Sequence, residues 1–459
     1  MLDNNHHILS HIIDGEMCAQ LSKTSLVDQI ASGVCELPNN GGIYPIETSQ
    51  IFLTEPNRHV RNAMVFIHDG KRNAVSCCDF GKKLLETSTY EENKWVIICP
   101  QFLHKMDLEH HQPLAKYEQC LTWDSDWQYG GLNRSSDKVI SSFGLLDGVL
   151  LKLCDSFLFP NLQHIVVVGH GEGADFIHRY TIASKLPEIT IPVHFVIANP
   201  GSYVFFDDAA RPDPTCTPTT HPEAYRWPYG TNKIPLYCQT NDPKELFARF
   251  AAKEIILLLE NDRSGSSDSG LDMSIPALAQ GPTRFQRGES FLKSIETYRA
   301  NCKKNETVPN SLFACHKVPQ RPSSTRNSIS CKKEDERMIM LSSMEGIEAI
   351  FRHVQQTSIR SSSGSTRSIG LIRNSILLSN NVTITTKTNH TISSHAISSS
   401  SGSSSIMSSS SSSDDEMITS TKKQTTSEAQ STTSALHRVP SNSTILDATN
   451  ADRCVCIVS

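Results

Sequence analysis

Short apolar segments alternate with amphipathic segments in the first part of this chain, and this alternation limits the possible folds more than any other feature. The apolar segments predict strands, and the segments with apolar positions at helical spacing predict helices. The predicted strands are Ala63–His68, Trp95–Cys99, His164–Val168, Val193–Ala198 and Glu254–Leu259. The predicted helices span 74–87, 138–156 and 172–184. Strands that alternate with helices predict a mostly parallel sheet flanked by helices, which is an α/β fold.

The composition of the chain changes abruptly after about residue 355. All 4 Trp residues precede this point, whereas the sequence that follows is rich in Ser and Thr and includes "SSSSGSSSIMSSSSSSDDE". A segment with so little apolar surface cannot offset the conformational entropy that it would lose on folding. We therefore predict an α/β domain over 1–355, with a loop insertion at about 300–333, followed by a disordered Ser/Thr-rich tail over 356–453.

The segment "HIVVVGHGEGADFIHRY" combines a strand, a glycine turn and a helix, and its glycines first suggest a nucleotide site. Gly169, Gly171 and Ala174 fit the dinucleotide-binding pattern G-x-G-x-x-[G/A]. That pattern normally follows the first strand of its domain, but here at least two predicted strands precede it. The next strand also ends in Asn199 rather than in an acidic residue that could bind the ribose. An NAD(P)-binding oxidoreductase is therefore the third choice of function.

The same turn fits a nucleophile elbow, small-x-nucleophile-x-small, in which Gly169 and Gly173 are the small residues. The flanking segments "MVFIHDGKRNA", "SSFGLLDGVLLKLCDSFLFPNLQ" and "FVIANPGSYVFFD" resemble ordered segments of one α/β-hydrolase family of serine esterases and lipases. The resemblance covers most of residues 45–350. It implies an α/β-hydrolase-like fold with an oxyanion-type pocket formed near Asp69, Gly70, His170 and Glu172.

The resemblance also implies a catalytic triad of a nucleophilic Ser, a His and an acid. Gly171 occupies the position of the Ser and has no hydroxyl. The acid is expected just after "EIILLLEND", where Asp262 is the matching candidate. The position of the His falls at about Glu334, within "KKEDERMIMLSS". The chain is thus predicted to be a degenerate member of the family, in which Asp262 is a relic acid.

An elbow without its nucleophile can still bind a small acyl or carboxylate ligand without cleaving it. The first choice of function is therefore a catalytically silent binding or interaction module, and we expect it to have no cofactor. The main alternative is an active carboxylic-ester hydrolase with a noncanonical nucleophile or base, for which His316 is a candidate. The net charge of −5 does not favour nucleic-acid binding, and the 14 Cys residues show no zinc-site spacing, so no metal is expected.

The chain ends in "CVCIVS", and this ending predicts lipidation. Cys456 begins a C-a-a-X motif whose terminal Ser459 is typical of farnesylation, and Cys454 is a candidate for palmitoylation. Two lipid chains provide stable membrane anchoring, whereas one provides only marginal binding. The first residues, "MLDNNHHILSHIIDGEM", do not resemble a secretory signal. We therefore expect a protein that is anchored to the cytosolic face of a membrane and is not secreted.

Overall fold

The computed structural model describes only part of the chain. The described residues are 26–50, 55–88, 90–111, 119–135, 139–186, 189–207, 211–261, 271–303, 313–318, 340–352 and 456–458. Asp262, Glu334, Cys454 and the predicted tail over 356–453 lie outside these residues.

The described strands form one mixed sheet. They are β1 (Gly33–Glu36), β2 (Ile43–Thr48), β3 (Asn62–Ile67), β4 (Trp95–Pro100), β5 (His164–His170), β6 (Val193–Ala198), β7 (Glu254–Glu260), β8 (Phe313–Val318) and β9 (Cys456–Val458). Their order in the sheet is β8-β7-β6-β5-β3-β4-β2-β1-β9. The strands from β3 to β8 pair in parallel, whereas β2 pairs antiparallel with both β4 and β1. The backbone of β9 pairs antiparallel with β1.

Helices connect these strands. They are α1 (Ala74–Thr87), α2 (Lys105–His111), α3 (Ser142–Leu153), α4 (Glu172–Ala183), α5 (Pro243–Ala251), α6 (Ile275–Leu278), α7 (Arg284–Lys303) and α8 (344–352). Side chains cap the start of three of them, because Asn73, Ser141 and Asp242 each accept a hydrogen bond from a backbone N–H of the first turn. Among the described residues, no helix is long and apolar enough to cross a membrane.

Strand β5 illustrates how the sheet is buried on both faces. Ile165 and Val167 pack in one apolar cluster, which also contains residues of α3, α4, α5 and α7. Val166 and Val168 point to the opposite face and pack in a second cluster with residues of α1 and α8. Side chains alternate across a strand, so helices on both sides cover a continuously apolar strand of this kind. The predicted mostly parallel sheet with flanking helices is therefore confirmed.

The predicted elements agree closely with the described ones where the sequence is strongly patterned. The helix predicted over 74–87 is α1 with the same bounds, and the five predicted strands each match an observed strand to within two residues. The helix predicted over 138–156 is shorter, because Ser141 caps α3 and the helix ends at Leu153. The predicted loop at 300–333 needs correction, because α7 continues to Lys303 and β8 spans Phe313–Val318. The alternation of polar and apolar residues in "FACHKV" is too weak to predict that strand.

Candidate functional site

The turn between β5 and α4 has the backbone geometry of a sharp elbow. Gly171 has φ 60° and ψ −122°, a conformation that strains any residue with a Cβ. Its N–H donates to the carbonyl oxygen of Ala198 at 3.0 Å, and its own carbonyl oxygen accepts from the N–H of Asp175 at 2.9 Å. The elbow is therefore fixed on one side by β6 and on the other by the first turn of α4.

Two glycines allow α4 to approach the sheet closely at the elbow. A Cβ built at Gly169 would lie 2.5 Å from the carbonyl carbon of Gly173, and one built at Gly173 would lie 2.3 Å from the carbonyl oxygen of Ile67. Both contacts are with backbone atoms, which cannot move away as a flexible side chain can. The two positions therefore require small residues, as in the pattern small-x-nucleophile-x-small.

The central position of the elbow faces open space. A Cβ built at Gly171 would have no heavy atom within 4 Å, apart from those of the adjacent residues. A side chain at this position would therefore extend into open space, where the nucleophile of an α/β-hydrolase elbow is exposed. The chain keeps the backbone of the elbow and the space for a side chain, but it has no hydroxyl or thiol at this position.

The loop after β3 lies beside the elbow and is held by its own hydrogen bonds. Asp69 Oδ1 accepts from the N–H of Lys71 at 3.0 Å, and the carbonyl oxygen of Asp69 accepts from the N–H of Arg72 at 2.9 Å. The buried imidazole of His68 lies 2.8 Å from the same carbonyl oxygen through Nδ1, and its Nε2 accepts from the N–H of Phe102 at 3.0 Å. These contacts require the neutral ring with its proton on Nδ1, so His68 has a structural role.

A buried ion pair anchors this loop to α2. Asp107 accepts from Arg72 Nη2 at 2.9 Å, and also from the backbone N–H groups of His104 and Val27. Burial acts to raise the pKa of Asp107, but the hydrogen bonds and charge of Arg72 outweigh it, and the pKa lies below its usual value. The carboxylate is therefore ionised and fully paired, and it fixes the position of the loop.

Glu172, the first residue of α4 and the neighbour of Gly171, places its carboxyl group against the loop that follows β3. A Cβ built at Gly70 would lie 2.9 Å from Glu172 Oε1, so the side chain packs directly against the glycine of the β3 loop. Burial raises the pKa of Glu172, the charge of Arg284 opposes that shift, and the nearby charge of Asp69 adds to it.

A second carboxylate lies one turn further along α4, beneath the elbow. Asp175 accepts from the backbone N–H groups of Gly201 and Ser202, both at 3.1 Å, and from Arg179 Nη1 at 3.0 Å. Arg179 is completely buried and also donates to Ser202 Oγ at 2.8 Å and to the carbonyl oxygen of Pro228 at 3.1 Å. This network fixes the loop after β6 against α4.

Two residues at the carboxyl ends of β6 and β7 and one at the start of α7 complete the site, and sequence reasoning did not assign them to it. Asn199 has a left-handed backbone with φ 50°, and its Oδ1 accepts from the N–H of Glu260 at 3.0 Å. Arg284 Nη1 donates to the carbonyl oxygen of Asn199 at 2.8 Å. Arg284 begins α7, more than one hundred residues after the elbow, so no local pattern in the sequence indicates this contact.

The structure brings together three of the residues predicted for the pocket, because Asp69 and Gly70 lie beside Glu172. The fourth, His170, is the last residue of β5 and directly precedes Gly171. His316, the candidate base, lies in β8 in the same register row as His170, three strand spacings away, which is about 14 Å. It is therefore too far from the elbow to act there. The last described residue before Asp262 is Asn261, whose N–H donates to the carbonyl oxygen of Val318 at 3.0 Å.

The described residues offer no obvious place for a metal ion. No group of three or more His, Cys, Asp or Glu side chains within this part of the chain could hold one. The nucleotide interpretation of the glycine turn also fits poorly. The turn follows β5, in the interior of the sheet, whereas the dinucleotide fingerprint follows the first strand of its domain.

Comparison with known proteins gives structural matches but no sequence match. No protein-family model matches the chain, and no curated protein sequence matches it significantly. One similar solved structure is LpqC, a poly(3-hydroxybutyrate) depolymerase from Bordetella parapertussis, with 17% identity, a TM-score of 0.43, and coverage of 67% of this chain and 93% of that chain. Another is poly(aspartic acid) hydrolase-1 from Sphingomonas sp. KT-1, with 15% identity, a TM-score of 0.42, and coverage of 72% and 98%.

A third match is an esterase of Pyrococcus furiosus, with 13% identity, a TM-score of 0.31, and coverage of 68% of this chain and 91% of that chain. At these identities the likeness concerns the fold alone. The class of this protein rests on its own sheet and on the elbow that follows β5. It is a protein of α/β-hydrolase-like fold.

Proposed function

We propose that this protein is a catalytically silent α/β-hydrolase-like protein that binds a small ligand at the elbow. The observation that carries the proposal is Gly171, which keeps the elbow backbone and opens onto free space but has no nucleophilic side chain. Serine-hydrolase chemistry requires a hydroxyl at this position to attack the carbonyl carbon. Without it the pocket can hold a ligand but cannot form an acyl-enzyme.

Lipid anchoring to the cytosolic face of a membrane is the second part of the proposal. It is supported by the C-a-a-X motif that begins at Cys456 and by the neighbouring Cys454, which would supply the second lipid. A protein that lacks the catalytic nucleophile and carries a lipid anchor would act as a binding or interaction module at the membrane surface.

The proposal of silence is tested by measuring the hydrolysis of short and medium p-nitrophenyl esters by the full chain. We expect the rate of the wild-type protein to equal the buffer blank. Gly171→Ser, alone and with Glu334→His, measures how much of the former site can be restored. Gly144→Ser is the matched control, because a Cβ at Gly144 also meets no atom within 4 Å but lies in α3.

Wild-type turnover that is well above the blank and persists through repurification would favour the second candidate, an active carboxylic-ester hydrolase. The open space above Gly171 is the observation that keeps this candidate, because a substrate could still enter there. The third candidate, an NAD(P)-binding oxidoreductase, predicts that millimolar cofactor raises the melting temperature. An unchanged melting temperature would count against it.

The lipid anchor is tested by fractionating cells that express the wild-type chain or Cys456→Ser. We expect the wild-type protein in the membrane fraction and the variant in the soluble fraction, because removal of the prenylated Cys abolishes the first lipid. Cys454→Ser should weaken the membrane association by removing only the second lipid. Cys302→Ser, far from the motif, is the matched control. An unchanged distribution of Cys456→Ser would contradict the anchor.

A further inference from the structure

We propose that Glu172 fills the position where a hydrolase of this fold would bind the oxyanion, and that the pocket therefore excludes carboxylates. The inference rests on the proposed function, because it assumes that the space above Gly171 is a ligand site. It narrows the ligand class expected from the sequence, a small acyl or carboxylate molecule, to ligands that carry no carboxylate.

The first argument concerns the hydrogen-bond donors. An α/β-hydrolase elbow binds an oxyanion through the backbone N–H of the residue after the nucleophile and through an N–H of the loop after β3. In this chain the residue after Gly171 is Glu172, whose side chain packs against the β3 loop. In that loop, the N–H of Lys71 already donates to Asp69 Oδ1 at 3.0 Å. Asp69 therefore uses a donor that would otherwise serve a ligand.

The second argument concerns space. The Glu172 side chain packs across Gly70, with Oε1, Cδ and Cγ at 2.9, 3.2 and 3.6 Å from the position of a Cβ there. The carboxyl group thus bridges the start of α4 and the β3 loop. A ligand oxygen that approached both of these elements would have to displace it.

The third argument concerns charge. The charge of Asp69 contributes to the raised pKa of Glu172. The charge of Arg284 opposes that shift, and Arg284 Nη1 donates to the carbonyl oxygen of Asn199. Its charge therefore offsets the carboxylates of the chain. An anionic ligand would meet two carboxylates at short range, and like charges in a partly buried site repel strongly.

The test uses the full chain and measures its melting temperature in about 100 mM sodium butyrate against sodium chloride of equal concentration. The wild-type protein should show no difference between the two salts. Glu172→Ala removes the carboxylate and the side chain that packs across Gly70, so butyrate should raise the melting temperature by about 2–3 °C. Glu172→Gln should still show no difference, because its amide group fills the same space.

Glu289→Ala is the matched control, since it removes a half-buried Glu whose ion-pair partner is Lys317 of β8. If Glu172→Ala does not fold, Gly70→Ala offers a second route. Its methyl group would displace the flexible Glu172 side chain, and butyrate should then stabilise the protein. The proposal is overturned if butyrate stabilises the wild type as much as Glu172→Ala, if Glu172→Gln gains the same stabilisation, or if no folded variant responds.

These outcomes are independent of ester hydrolysis. Ester hydrolysis by the wild-type protein would refute the proposal that it is catalytically silent. The butyrate measurement would then still test the role of Glu172. A wild-type protein that binds butyrate but does not hydrolyse esters would refute the role of Glu172 alone.

Discussion

Asp175 and Glu172 lie one helical turn apart at the start of α4, yet their carboxylates have different surroundings. Asp175 is buried beneath the elbow and has a cation and two backbone N–H groups as partners. Glu172 lies beside the elbow, near Asp69 and against Gly70. The charges beneath the elbow are paired, whereas the central position of the elbow itself is a glycine. The comparison teaches that the contacts which support an elbow are separate from the side chain at its centre.

The largest effect is expected when the hydrogen-bond network of Asp175 beneath the elbow is removed. Asp175→Ala should lower the free energy of unfolding by about 3–5 kcal/mol, because it leaves the buried guanidinium of Arg179 without its carboxylate. Urea denaturation measures the change. Asp79→Ala, which removes an exposed partner of Lys82, should cost at most about 1 kcal/mol. Equal costs for the two variants would show that the network beneath the elbow is not a special support.

A somewhat smaller effect is expected where α4 approaches the sheet. Gly173→Ala should lower the free energy of unfolding by about 1–3 kcal/mol. Its methyl group would overlap the carbonyl oxygens of Ile67 and His68 and force backbone atoms apart. Thermal unfolding measures this cost. A variant as stable as the wild type would mean that α4 can move away from β3 freely, and that the elbow is less rigid than its contacts indicate.

Gly171→Ala sharpens the comparison by separating backbone strain from steric overlap. The added methyl group meets no atom, but the backbone conformation strains any residue with a Cβ, so the cost should be about 1–3 kcal/mol. Gly144→Ala also meets no atom but lies within α3, where Ala should stabilise the helix by up to about 1 kcal/mol. The two variants should therefore change the unfolding free energy in opposite directions. The same direction for both would refute the strain at the elbow.

The smallest expected effect is a pH dependence of the protein's stability that is caused by Glu172. Burial raises the pKa of Glu172 in the folded protein, so the folded state holds this proton more strongly than the unfolded state does. Its contribution to stability is thus present at low pH and is lost as the pH rises from the ordinary Glu value of about 4.5 through the raised pKa. Glu172→Gln should flatten the melting-temperature profile over this interval. A profile that matches the wild type would contradict the raised pKa.

The sequence predicts the centre of this fold well and its periphery poorly, for a physical reason. The strands β3 to β7 are buried on both faces and are continuously apolar, so each has a strong local signal. The strands β1, β2 and β8 include polar or half-exposed positions, and only their pairing with neighbours defines them. Propensity is a weak guide where tertiary contacts decide the structure.

The candidate site also has one part that the sequence predicts and another part that it does not. The elbow could be predicted because its glycines occupy alternate positions within five residues and each has a local steric cause. Arg284, Asn199 and Glu260 could not, because their contacts join elements that are far apart in the chain. The oxyanion-type role expected for Glu172 came from its position alone. The packing of its side chain on Gly70 required coordinates, since no sequence pattern encodes the direction of that carboxyl group.

The contact between Glu172 and Gly70 also makes the residue that one position accepts depend on the residue at the other. Gly70 is free of left-handed backbone strain, so the Glu172 carboxyl group is what opposes a larger residue there. A lineage that carries a short residue at position 172 could accept Ala at position 70, whereas one that carries Glu would tend to keep Gly. The residues at positions 70 and 172 should therefore vary together among relatives of this chain.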